Sequence, residues 1–104
     1  MRLADFKWMT KRQHKKNVTE TAGGQIVLDY GNYHLSIIDD GYGRDSGLYE
    51  IGVFKAHDGV ATEMVNLPGI TNEGDTVKGH LTEAEVDVIL RKMETITRTH
   101  PKQV

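Results

Sequence analysis

Leu81-Thr82-Glu83-Ala84-Glu85-Val86-Asp87-Val88-Ile89-Leu90-Arg91-Lys92-Met93 is the stretch that decides the fold. Thr82 suits a helix N-cap, and Glu85 stands three residues on, where its carboxylate can bond back to the cap. Leu81 before the cap and Val86 at the fourth helical position complete a hydrophobic staple. Val86, Ile89, Leu90 and Met93 then recur at i, i+3, i+4 and i+7, which draws one apolar face down a helix. Ile96 extends that face. Glu83, Glu85 and Asp87 lie near the positive end of the helix macrodipole, and Arg91, Lys92 and Arg98 toward the negative end. His100-Pro101 stops the element. A single amphipathic helix needs an apolar partner, and the residues before it supply a sheet.

Tyr33, Leu35 and Ile37 alternate with His34 and Ser36, the period-2 signature of a half-buried strand with His34 on its outer face. Leu48–Lys55 repeats it, with Tyr49, Ile51 and Val53 on one face. Ile26-Val27-Leu28 precedes them, separated by the turn-forming Asp29-Tyr30-Gly31-Asn32. After Lys55 the pair Asp58-Gly59 marks a tight hairpin, with Val60–Val65 as the returning strand. Short connections favour antiparallel neighbours. The expectation is an α+β domain: a four-stranded antiparallel meander with one C-terminal helix packed on it. Residues 66–80 carry one proline and three glycines, so they read as a long irregular connection.

The chain has 104 residues, enough for one domain with a modest core. Its 38% hydrophobic and 27% charged residues place it outside the disordered range. It has no cysteine, which excludes disulfides, thiolate nucleophiles and cysteine-ligated metals. No apolar run is long enough to span a bilayer, and the basic start lacks the apolar segment of a secretory signal. These features read as a cytoplasmic protein without a membrane partner.

Charge is distributed unevenly. Residues 1–16 hold six basic side chains against Asp5, while the remainder holds seven basic against fourteen acidic. Residues 1–24 therefore read as a basic N-terminal arm, a short helix at Leu3, Phe6 and Met9 followed by a mobile stretch over 10–23. The body is the single domain 25–104. Lys7, Trp8, Lys11, Arg12, Lys15 and Lys16 interleave cations with an aromatic ring. That pattern can grip phosphates and stack on unpaired bases, so they are candidate nucleic-acid contacts. The arm can equally fold onto the acidic body.

Asp39-Asp40-Gly41-Tyr42-Gly43-Arg44-Asp45-Ser46-Gly47 has neither the glycine spacing of a dinucleotide loop nor that of a calcium loop. It reads as a glycine-hinged hairpin loop that exposes Tyr42, Arg44 and Asp45, the candidate partner-binding residues. The five histidines show no metal-ligand spacing, and Ser36 and Ser46 lack the strand–turn–helix setting of a nucleophile. No catalytic residue, metal ligand or cofactor site is assigned.

Asp40-Gly41-Tyr42-Gly43, Gly47-Leu48-Tyr49-Glu50, Asp58-Gly59 and Gly79-His80-Leu81-Thr82-Glu83-Ala84-Glu85-Val86 follow one another in an order that resembles a family of small tailed-bacteriophage proteins of unknown function. The likeness covers roughly residues 33–97. In the family pattern an aliphatic strand residue and a serine follow Gly-Tyr-Gly, whereas here they precede it in His34–Ile38. The resemblance implies a phage protein working in the host cytoplasm; it implies no activity and no catalytic residue. Two functions fit: a non-enzymatic accessory protein that binds and modulates a host bacterial protein, or a small nucleic-acid-binding protein using the basic arm.

Overall fold

The computed structural model of the chain describes residues 1–10 and 23–104. Its strands are β1 (Met9–Thr10), β2 (Gly24–Asp29), β3 (Tyr33–Ile38), β4 (Tyr49–His57), β5 (Val60–Met64), β6 (Val77–Leu81) and β7 (Lys102–Gln103). Among the described residues one α-helix, α1, spans Glu83–Thr97. The class is the expected one, α+β with an antiparallel sheet and a C-terminal helix. The β2-β3-β4-β5 meander is present, but it is not the whole sheet. β4 is nine residues long, and its outer edge is shared: β5 pairs with its second half and β6 with its first. β2 is shared likewise, by β1 near its start and β7 near its end.

Register explains which residues make the core. Ile26, Ile37 and Ile51 stand abreast across β2, β3 and β4, as do Leu28, Leu35 and Val53. These six are buried on the face that α1 covers with Val86, Ile89, Leu90 and Met93. Leu81 and Ile70 close the same cluster. The helix begins as expected: Thr82 Oγ1 accepts from Glu85 N–H at 3.2 Å, and Glu85 Oε1 accepts from Thr82 N–H at 3.1 Å. It ends at Arg98, whose φ of +52° is left-handed.

Five expectations change. The strand count rises because Val77–Leu81, expected to be irregular, pairs with Tyr49–Gly52 as β6. Its pairing is long-range, and Gly79 obscures the alternation of Val77 and Leu81 with Lys78 and His80. Before it, the connection is tied together by Asn66, whose Nδ2 lies within 2.8 Å of Thr71 Oγ1 and of the Asn72 and Asp75 carbonyls. His34 and Ser36, expected to face outward, are buried; His34 stands between Asp29 and Phe54 in the ladder, and Ser36 accepts a hydrogen bond from Gln25 Nε2. Ile96, expected on the buried stripe, is 46% exposed, because the core face ends one turn earlier at Met93. Finally, the start of the chain is not separate from the body. Leu3 is buried in the core, its N–H donates to Asp87 Oδ1 at 2.7 Å, and β1 pairs with β2. The Leu3-Phe6-Met9 spacing forms only one 3-10 turn, Leu3–Asp5, before the chain extends. The mobile stretch expected within 10–23 falls largely on residues outside the described set.

Candidate functional site

The connection from β3 to β4 is built from hydrogen bonds within itself. Arg44 N–H donates to the Gly41 carbonyl at 3.1 Å, and Ser46 and Leu48 N–H both donate to the Gly43 carbonyl at 3.0 Å. One 3-10 turn, Arg44–Ser46, sits between Gly43 at φ +99° and Gly47 at φ +69°. Those left-handed values are strained for any side-chain-bearing residue, so both glycines are required where they stand.

A second contact fixes the loop to the sheet. His80 N–H, in β6, donates to the Tyr42 carbonyl at 2.9 Å. The two backbones approach closely because each carries a glycine at the crossing. A Cβ on Gly43 would lie 2.9 Å from His80 Cα, and one on Gly79 would lie 2.5 Å from Tyr42 Cβ. Ordinary carbon contacts are about 3.5–4.0 Å, so neither position has room for a methyl group. His80 itself adopts φ +56°, an uncommon conformation for a non-glycine residue. The two segments that sequence reasoning put forward as loops, 41–47 and 66–80, are thus joined at Tyr42–Gly43 and Gly79–His80.

Tyr42 stands on this crossing 65% exposed. Arg44 and Asp45 project from the next turn and are exposed too. Arg44 Nε lies 3.9 Å from Asp45 Oδ1, an exposed pair whose attraction is largely screened. The three candidate partner-binding residues therefore share one fixed turn. An aromatic ring, a guanidinium and a carboxylate on a backbone already ordered can engage a protein surface with little further loss of entropy.

The candidate nucleic-acid residues are divided. Lys11, Arg12, Lys15 and Lys16 lie outside the described residues. Lys7 and Trp8 are exposed, and the Trp8 ring stacks on Tyr49 with centroids 5.5 Å apart at 16°. The Lys7 backbone is clamped by the Gln103 amide, which accepts from Lys7 N–H at 2.9 Å and donates to the Lys7 carbonyl. Beside the stack lies Asp39, whose Oδ1 accepts from Gly24 N–H at 2.8 Å. A Cβ on Gly24 would meet both Asp39 Oδ2 and Trp8 Cε3. A carboxylate so close repels a phosphate backbone laid across the rings.

Among the described residues the histidines do not converge. His34 is buried with Nε2 3.6 Å from Asp29 Oδ1, while His57 and His100 are exposed beside Asp58 and Glu94. Among the described residues no three His, Asp or Glu side chains lie together as ligands, and no helix is long and apolar enough to cross a membrane. Sequence reasoning missed Gly79 and His80. The signal was a glycine inside Val77–Leu81, which marks close backbone approach once that segment is known to be a strand. No known protein family, curated protein or solved structure matches the chain.

Proposed function

We propose that this chain is a non-enzymatic binding protein that captures and modulates a host bacterial protein through the Gly41–Gly47 loop. The observation that carries the reading is the glycine-on-backbone crossing of Tyr42–Gly43 with Gly79–His80. A mere connector needs no such anchorage. Here a tight crossing and four internal hydrogen bonds hold Tyr42 outward instead of folding it onto the core. Tyrosine and arginine are enriched where interfaces concentrate their energy. The resemblance to tailed-phage proteins supplies the setting, an infected bacterial cytoplasm, and with it a host protein as partner.

The test is affinity capture from nuclease-treated bacterial lysate, read by mass spectrometry, with wild type beside Tyr42→Ala/Arg44→Ala. Wild type is expected to retain a discrete protein that the double variant loses while melting at nearly the same temperature. If the double variant unfolds, Tyr42 serves the core. If it stays folded and captures the same protein, the loop is only a connector. Capture seen only from untreated lysate, and lost on removal of the Lys7–Lys16 charges, would favour the nucleic-acid reading, whose salt dependence is steep.

A further inference from the structure

We propose that the Trp8–Tyr49 stack and Asp39 form a site for one arginine side chain of a partner protein. The site stands at the two feet of the Gly41–Gly47 loop, so for its partner it rests on the reading of that loop as a binding surface. Register builds it. One step beyond the ladder pairs Gln25–Ile38 and Ile38–Glu50, Gly24, Asp39 and Tyr49 fall in one row at the end of the sheet. Asp39 N–H donates to the Gly24 carbonyl at 3.3 Å, which fixes that row. Gly24 leaves a gap in it. A Cβ there would lie 2.9 Å from Asp39 Oδ2 and 3.0 Å from Trp8 Cε3. The carboxylate oxygen and the indole edge are therefore no further apart than the sum of those distances, about 6 Å, the range over which an aromatic ring attracts a cation.

The chemistry of these groups chooses the occupant. Trp8 gives one face to Tyr49 and is still 36% exposed. Asp39 is exposed as well. Its Oδ1 accepts from Gly24 N–H, while its Oδ2 has no hydrogen bond or ion pair among the described residues. A stacked indole with a free carboxylate oxygen at its edge attracts a cation and repels an anion. Asp40, packed against Gly23, and Glu50, packed against Gly41, are already engaged, and they deepen the negative potential at this end of the sheet. A guanidinium is the cation that fits. It is planar and weakly hydrated, so it lies flat on the indole while an N–H at its edge reaches Oδ2. An ammonium is compact and strongly hydrated, and gains less from the ring. The loop's own guanidinium, Arg44, leans toward Asp45 at 3.9 Å. Because the loop leaves from Asp39 and returns at Tyr49, an arginine bound here belongs to the protein that the loop holds.

Trp8 is the chain's one tryptophan, so its fluorescence reports the site directly. The probe is the capped peptide acetyl-Ala-Ala-Arg-Ala-Ala-amide, titrated at low salt beside the same peptide with Lys or with citrulline, the neutral isostere of arginine. The Arg peptide is expected to change Trp8 emission saturably in the millimolar range. The Lys peptide should bind several-fold more weakly and the citrulline peptide roughly tenfold more weakly, and added salt should weaken the Arg peptide. Asp39→Asn removes the charge and keeps the oxygen that accepts from Gly24 N–H, so it should melt like wild type and bind the Arg peptide roughly tenfold more weakly. Tyr42→Ala/Arg44→Ala should leave the titration unchanged. Equal binding of the Arg and citrulline peptides, no saturable change, or wild-type binding by Asp39→Asn would overturn the proposal. So would binding that appears only in Lys11→Gln/Arg12→Gln/Lys15→Gln/Lys16→Gln, because the chain's own cations would then be the occupant. The two readings fail separately. A silent titration with loop-dependent capture from lysate intact sinks the arginine site alone, and an arginine site that persists where Tyr42→Ala/Arg44→Ala captures like wild type sinks the loop reading alone.

Discussion

Gly79→Ala puts the loop's anchorage to the test at a position that touches no core residue. The added Cβ would lie 2.5 Å from Tyr42 Cβ and 3.1 Å from the Tyr42 carbonyl oxygen. Reaching an ordinary contact requires the two strands of backbone to part by about 1 Å. The His80 N–H···O=C Tyr42 bond, 2.9 Å in the native protein, would then open beyond useful range. Losing it costs about 1 kcal/mol, and the residual strain of a partly relaxed contact adds a similar amount. Tyr42 is mostly exposed, so little apolar burial is lost with it. The expected destabilisation is therefore about 1–2 kcal/mol, or a melting temperature roughly 5–15 °C lower. Urea denaturation followed by circular dichroism measures the loss, and hydrogen exchange at the His80 amide reports where it arises. A loss under about 0.3 kcal/mol with the His80 amide still protected would refute the reasoning, because the crossing would then tolerate a side chain.

Leu90→Ala should cost about 3–4 kcal/mol with an unchanged urea slope, since Leu90 is fully buried against sheet residues whose ladder resists collapse; a loss below about 0.5 kcal/mol would mean that another face packs on the sheet. Thr82→Ala should cost about 1 kcal/mol through the cap. The hydrogen bonds from Thr82 hold the Glu85 carboxyl below its ordinary value of 4.5. A depressed carboxyl contributes stability above that value and loses it as pH falls further, so Glu85→Ala should shrink the drop in stability at acid pH. A pH–stability curve of unchanged shape would contradict the box. Burial, and secondarily the charge of Glu94, pushes the Tyr30 phenol well above its ordinary range. The neutral form is thus favoured in the folded state, and stability falls as pH rises past about 10. Tyr30 Oη is buried without a partner among the described residues, so Tyr30→Phe should be neutral or stabilising by up to about 1 kcal/mol at pH 7 and should remove that alkaline loss. A destabilised phenylalanine variant would reveal a hydrogen bond to the hydroxyl.

The parts of the fold that were legible are those written in local chemistry. Thr82 and Glu85 announce the helix start, and Leu35, Ile37, Ile51 and Val53 alternate because one face of their strands is covered. β6 was hidden because Gly79 interrupts the alternation of Val77 and Leu81 with Lys78 and His80; pairing to Tyr49–Gly52, nearly thirty residues earlier, makes it a strand. The same blindness hid the crossing, since Gly79 matters only once β6 lies beside the loop. His34 and Ser36 were misplaced because alternation tells which residues share a face, not whether the second face is open; Gln25 and Phe54 cover them. Exposure of Tyr42 was readable from its flanking glycines, whereas the stiffness of its backbone was not.

The central claim is that the Gly41–Gly47 loop is held rigid so as to present Tyr42, Arg44 and Asp45. Backbone ¹⁵N relaxation measures this directly. Amides 42–47 are expected to show order parameters near those of β4, about 0.85, with the His80 amide ordered alongside them. Values below about 0.6 across 42–47 would contradict the claim, because a loop that moves on the ps–ns timescale is not anchored by its crossing with Gly79–His80.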